Sequence, residues 1–279
     1  MSGKRSTFLI SALVFGFAFL YVPILLVMIY SFNEGKLVTV WTGFSTKWYV
    51  SLFSNDGMID AAWNSLRIGV MSATLALALG TPAGLVMSRF GRFKGRTLFS
   101  GMIAAPLVMP EVITGLSLLL LFVTLEQLIG WPAGRGVATI TIAHTTFCAA
   151  YVAVVIQSRL SGMDISVEEA AMDLGAKPAK IFFVITLPMI LPALLAGWLL
   201  SFTLSLDDLV IASFVAGPGS TTLPMKVFSS VRLGVSPEIN ALATLIIVSV
   251  SVMILISSLL ILRSERNRSR SSASAEIQP

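Results

Sequence analysis

The chain has 279 residues; 56% are hydrophobic, 12% are charged, and the mean hydropathy is +0.89. A soluble domain carries about 25% charged residues, so this composition excludes one and requires an integral membrane protein. The formal charge of +5 does not point to nucleic acid, because the basic residues are segregated by loop instead of being gathered into one patch.

Six apolar stretches reach the roughly 20 residues that a helix needs to cross a bilayer: 8–31, 62–88, 98–125, 137–158, 189–215 and 241–262. They predict an all-α fold of six transmembrane helices over 8–262, between a tail at 1–7 and another at 263–279. Lys4 and Arg5 precede the first span as they would in a secretion signal. The apolar run continues through Tyr21 and Pro23 into Met28 without a small-residue cleavage site, so it reads as a retained anchor. Residues 32–60 place Trp41, Phe44, Trp48, Tyr49 and Phe53 among polar neighbours. That pattern suits a segment at the lipid–water boundary or an aromatic surface offered to a partner. In the second span, Gly80 and Gly84 form a small-xxx-small pair that allows close helix approach.

The third span carries Glu111 after Pro106 and Pro110. Two prolines remove two backbone donors and are expected to kink or open the helix, leaving carbonyls beside a carboxylate, which suits a cation. A rise of about 1.5 Å per residue from Leu98 puts Glu111 about 20 Å from the cytosolic end. The fourth span holds His144 and Cys148, each the chain's single residue of its type. Cys148 cannot form an internal disulfide, and His144, without a second His or Cys nearby, reads as a packed or pore-lining group and not as a metal ligand.

Between the fourth and fifth spans lies a polar loop at about 161–188. Ser166 and Glu169 have the spacing of a capping box, so a short helix is expected to start at Ser166 with the two side chains satisfying each other's backbone donors. Gly175 can take the left-handed conformation that ends a helix, and Pro178 can open the next one. The result is a helix, a sharp bend and a second helix.

The fifth span contains Asp207 and Asp208. A charge near the bilayer centre costs about 2.5–3.5 kcal/mol on insertion scales, so Glu111, Asp207 and Asp208 are expected to line a substrate path, or else to pair with a neighbouring helix. Adjacent helical residues point about 100° apart. Asp208 continues a small or polar stripe with Ser201, Ser205 and Ala212, and is expected to face the path about 28 Å from the cytosolic side. Asp207 aligns with Leu200, Thr203, Ile211 and Phe214, and is expected to reach a partner helix or a backbone group. Residues 217–238 are rich in turn formers, with a short helix expected over about 225–231. The basic, Ser-rich end after Leu262 is expected to be disordered and to lie near anionic lipid headgroups.

Of the 19 Lys and Arg, 13 fall in the two tails and the second and fourth loops, and five in the first, third and fifth loops. Positive residues are retained on the cytosolic side, so both termini are expected inside, together with the loop at 161–188.

Within that loop, Glu169-Ala170-Ala171, then Gly175, then Ile185, Leu187 and Pro188, resemble the EAA loop of permease subunits of ATP-binding-cassette importers. The resemblance implies a type I importer permease fold, in which Glu169, Ala170, Ala171, Asp173, Gly175 and Pro188 belong to a coupling helix that fits a groove on an ATPase subunit. The runs 204–215, 223–227 and 234–244 look like those of bacterial polyamine importers, which take up putrescine and spermidine. This implies a bacterial inner-membrane location and a heterodimer with a different permease subunit. It also implies two ATPase subunits and a periplasmic polyamine-binding protein. No Walker phosphate loop occurs, so ATP and Mg are expected at the ATPase subunits, no cofactor on this chain, and no enzyme activity of its own. Other readings are a permease for another cationic solute, an ion-coupled secondary transporter, or a membrane enzyme, the last weakened by the absence of a metal cluster or a Ser-His-Asp set.

Overall fold

The computed structural model describes residues 2–37, 40–233, 236–252 and 255, and every regular element among them is helical. Most of 253–262 and all of the expected tail at 263–279 lie outside the described residues. The chain forms two compact units, 1–56 with 230–279, and 57–229.

In the first unit, α1 (Ser2–Tyr30) presents apolar side chains on all sides, and its hydrophobic stretch Thr7–Tyr30 buries nothing within the chain. Such a helix needs hydrocarbon or another protein around it. The loop that follows is organised by Asn33, which is fully buried. Its amide donates to the carbonyls of Leu37 and Val40, its Oδ1 accepts from the Thr42 backbone, and its carbonyl accepts from Trp48 Nε1. The aromatic loop is therefore a built structure, stacked through Phe32, Phe44 and Tyr49. α2 (Lys47–Phe53) is tied to the start of the last described helix, Pro237–Val252, by Ser51 and Asn55 donating to Glu238.

In the second unit, α3 (Asp56–Arg89) and α6 (Val137–Ser161) approach closely. A Cβ at Gly80 would lie 2.6 Å from Val152 Cβ, and one at Gly84 2.7 Å from the Ala153 carbonyl, so the expected small-residue pair does allow this packing. Two apolar clusters complete the core, one around Ile68, Phe122, Ile140 and Ile211, the other around Ala76, Cys148, Val152 and Ile190.

Two predicted spans are not single helices. The third divides into α4 (Arg96–Val108) and α5 (Glu111–Ile129), with Met109 and Pro110 extended between them. Pro110 makes the break, because a residue preceding proline is pushed out of the helical region; Pro106 stays inside α4. The fifth span begins earlier than expected. α7 (Ser166–Asp173) is followed by α8 (Pro178–Ile181), a π-helical turn (Phe182–Thr186) and α9 (Leu187–Asp207), and helix is continuous from Pro178 to Asp207. The wider π turn gives room where the Pro188 ring would otherwise strike the carbonyl of Val184. The chain then opens at Asp208 (ψ 123) and resumes as α10 (Val210–Val215). α11 (Leu223–Leu233) covers the short helix expected near 225–231. Among the described residues, five helices are long and apolar enough to cross a membrane.

Candidate functional site

The elbow at the end of α7 is built from local backbone bonds. Gly175 has φ +82, its N–H donates to the Met172 carbonyl at 2.8 Å, and the Ala176 N–H donates to the Ala171 carbonyl at 3.0 Å. This is a Schellman turn, which favours glycine because a side chain is strained at that φ. Lys177 is extended (ψ 148) ahead of Pro178, which opens α8 as expected.

The start of α7 differs from expectation. The Ser166–Glu169 capping box is absent; the Glu169 N–H goes to the Ile165 carbonyl, and Asp164 Oδ1 accepts the Ser166 N–H at 3.0 Å. That hydrogen bond holds the Asp164 carboxyl below its ordinary range. The helix has its N-cap one residue earlier, at Ile165, so the Glu169 N–H that the Ser166 hydroxyl would have capped is already bonded, and Asp164 holds the Ser166 N–H that Glu169 would have capped.

Glu169, Ala170, Asp173, Gly175 and Pro188 are exposed, Ala171 is half-buried, and Leu174 at the tip is 90% exposed. Glu168 turns the other way. Its Oε1 accepts from Arg89 Nη2 at 3.2 Å and from the Thr186 hydroxyl at 3.1 Å, and its Oε2 lies 3.2 Å from Arg89 Nε as an ion-pair contact. The motif draws attention to Glu169, but the residue that binds the elbow to the helices is its neighbour. The available signal was the 100° step between adjacent helical positions.

The second polar region lies where the third and fifth spans break. α6 and α9 run antiparallel, since Cys148 Sγ contacts the Ser201 carbonyl and His144 contacts Ser205. His144, 2% exposed, places Nδ1 2.7 Å from Ser205 Oγ and Nε2 3.0 Å from Asp208 Oδ2. With Nε2 protonated, the neutral ring donates to the carboxylate and accepts from the serine hydroxyl. Asp208, 7% exposed at its side chain, also accepts the N–H groups of Ile211 and Ala212 at 3.3 and 2.8 Å. These are free donors in the first turn of α10, so Asp208 caps the restarted helix.

Asp208 therefore pairs within the chain instead of facing a path. Asp208 points into the chain's own core, and Asp207, the last residue of α9, is exposed. Asp208 keeps the face it was expected to share with Ser201 and Ser205, but that face packs on α6 at His144 instead of lining a path.

α5 packs on α10 through Gly115, where a Cβ would meet Phe214 at 2.7 Å and the Ile211 Cα at 3.3 Å. α5 is joined to α6 by the loop 130–136, and α9 is antiparallel to α6, so α5 and α9–α10 run in the same direction. Glu111 precedes Gly115 by four residues, as Asp207 precedes Ile211. Glu111 thus sits about one turn, roughly 6 Å, before this contact, whereas Asp207 precedes it across the break at Asp208. Both Glu111 and Asp207 lie just ahead of the α5–α10 contact in sequence. Glu111 is exposed, in the first turn of α5. The elbow and this layer stand at opposite ends of the helix Pro178–Asp207. No cluster of three metal-ligating side chains occurs among the described residues.

Residues 80–270 match the family described as "Binding-protein-dependent transport system inner membrane component". The chain is 67% identical over 243 residues to the putrescine transport system permease protein PotI of Escherichia coli (strain K12), covering 87% of this chain and 86% of the relative. It is 43% identical over 232 residues to the spermidine/putrescine transport system permease protein PotC of the same strain, covering 83% and 85%. Its fold is similar to that of a chain in the crystal structure of a bacterial ABC transporter involved in import of the acidic polysaccharide alginate. That match has a TM-score of 0.69 and 18% identity, and covers 93% of this chain and 97% of the other.

Proposed function

Because the chain belongs to the family of binding-protein-dependent transport system inner membrane components, we propose that it is a permease subunit through which an ATP-binding-cassette importer moves polyamines into the cell. It is a multi-pass inner-membrane protein with the type I importer permease fold. It is a transport component and not an enzyme. The observation that carries the polyamine reading is the 67% identity to a putrescine permease across most of both chains.

The geometry supports this reading. A polyamine is a methylene chain bearing separated ammonium groups. Two exposed carboxylates, Glu111 and Asp207, stand just ahead of the α5–α10 contact and would each attract an ammonium group. Asp208 keeps the fifth span broken through His144. At the other end of the same helix, Glu169, Ala170, Ala171, Asp173, Gly175 and Pro188 form the exposed surface on which an ATPase subunit would act.

In this reading the membrane domain extends over 8–262 with both termini cytosolic. The working complex adds a second permease subunit, two ATPase subunits that hold ATP and Mg, and a periplasmic binding protein that delivers the amine.

The test is ATP-driven uptake in proteoliposomes containing the chain and its co-purifying subunits. Labelled putrescine or spermidine should accumulate only with ATP on the ATPase side and the binding protein on the other. Uptake driven by an ion gradient without nucleotide, or no amine among transported solutes, would overturn the reading.

A further inference from the structure

Glu168 lies beside the residues of the coupling motif but faces away from their exposed surface. The ends of two helical segments, α3 and the π turn, meet on its carboxylate, and α6 is reached through Arg89. Arg89 is the last residue of α3, and while its Nη2 and Nε engage Glu168, its Nη1 donates to the Leu160 carbonyl near the end of α6 at 3.0 Å. Thr186, the last residue of the π turn, is 3% exposed and donates to the same Oε1. The Arg89 and Glu168 side chains are only 13% and 14% exposed, so water screens this pair less than a surface ion pair. The apolar wall beside them is formed by Leu85, Met172, Ile181 and Phe182.

We propose that Glu168 is the positioning residue through which a displacement of the elbow reaches the membrane helices. The proposal rests on the importer reading above. The exposed Schellman turn alone would pass little force, because α7 and α8 are short and the intervening residues form a bend. The Glu168 carboxylate instead ties the middle of α7 sideways to α3 and α6 through one guanidinium, and to the base of α9 through one hydroxyl. The charge-assisted bond from Arg89 Nη2 is directional, so a shift of α7 moves the ends of these helices together. The π turn at 182–186 is the compliant point, since it interrupts the regular i→i−4 ladder between α8 and α9 and Thr186 closes it. α9 then carries the motion to the break at Asp208.

The experiment uses the complete importer in proteoliposomes and reads three quantities for each variant: the amount of ATPase subunit retained, the rate of ATP hydrolysis, and the amine imported per ATP. Glu168→Gln keeps size and burial but weakens the pair. It is expected to retain the ATPase subunits and hydrolyse ATP, while amine imported per ATP falls about 3- to 30-fold, the range for residues that carry coupling without touching either ligand. Thr186→Val leaves the Arg89–Glu168 pair intact and is expected to lower the ratio by about threefold. Thr186→Ser, which restores the hydroxyl, should return it to the wild-type value. A merely packing role would not distinguish valine from serine in this way while assembly stays normal.

Normal import per ATP in both Glu168→Gln and Thr186→Val would overturn the proposal. Loss of ATPase subunits from Glu168→Gln would also overturn it, since Glu168 would then be a docking residue. If Glu168→Gln fails to assemble altogether, the Thr186 pair decides alone, with equal ratios for valine and serine counting against the transmission role. Failure of the wild-type complex to import amine would instead remove the importer reading, a separate outcome.

Discussion

The elbow and the mid-span acid layer are both polar interruptions in an apolar chain, but they are held by contacts of different range. In the elbow, the bonds that set the bend join residues three to five apart, Met172 to Gly175 and Ala171 to Ala176. In the layer, His144 reaches Ser205 and Asp208 across 61 and 64 residues. The elbow spends backbone groups on its shape, and so leaves Glu169, Asp173 and Leu174 outward for a partner. The layer spends side chains: Asp208 and His144 are consumed in keeping the fifth span broken, and only Glu111 and Asp207 remain available.

Breaking the layer should therefore cost more stability than bending the elbow. Asp208→Ala would strand His144 and uncap α10, and is expected to destabilise the protein by about 3–5 kcal/mol, measured by denaturation in detergent. His144→Ala should cost a similar amount, with the double variant costing less than the sum because both remove one interaction. A small, additive effect would mean that the two groups do not act as a pair.

The available acids should behave differently. Asp207→Asn and Glu111→Gln are each expected to leave assembly intact and to lower amine uptake by about 10- to 100-fold, the equivalent of a charge-assisted bond of roughly 1.5–3 kcal/mol. Unchanged uptake in both would remove this layer from the amine's route. At the elbow, Gly175→Ala puts a Cβ into the left-handed region at a cost of about 1–2 kcal/mol. The expected readout is less amine imported per ATP, with the membrane helices unaltered by circular dichroism; normal coupling would count against the lever.

The smallest effect belongs to Asp164. Its carboxyl is held below the ordinary value in the folded loop, so its contribution is present above that value and is lost as pH falls through the folded one. Asp164→Ala should speed amide exchange in the first turn of α7 at neutral pH, and the difference from wild type should shrink in acid. A difference that persists in acid would assign the protection to something other than the carboxylate.

Much of the elbow was legible because it is local. Gly175 and Pro178 each impose a backbone preference that needs no distant partner, and both act as expected. The capping box did not form, because Asp164, two residues closer to the preceding loop, supplied the acceptor first. The step of about 100° showed that Glu168 turns away from Glu169, but its partners Arg89 and Thr186 were illegible, because no periodicity brings those three together.

The sequence by itself determined that the chain lives in a membrane, that Gly80 and Gly84 face a close neighbour, and that the loop after the fourth span folds back on itself. These follow from hydropathy and backbone preference, which act over a few turns of helix. Tertiary structure decided which proline breaks the third span and which of the two adjacent aspartates pairs within the chain. A charge buried among helices goes where a partner can satisfy it, and the partner's position is fixed only when the helices pack.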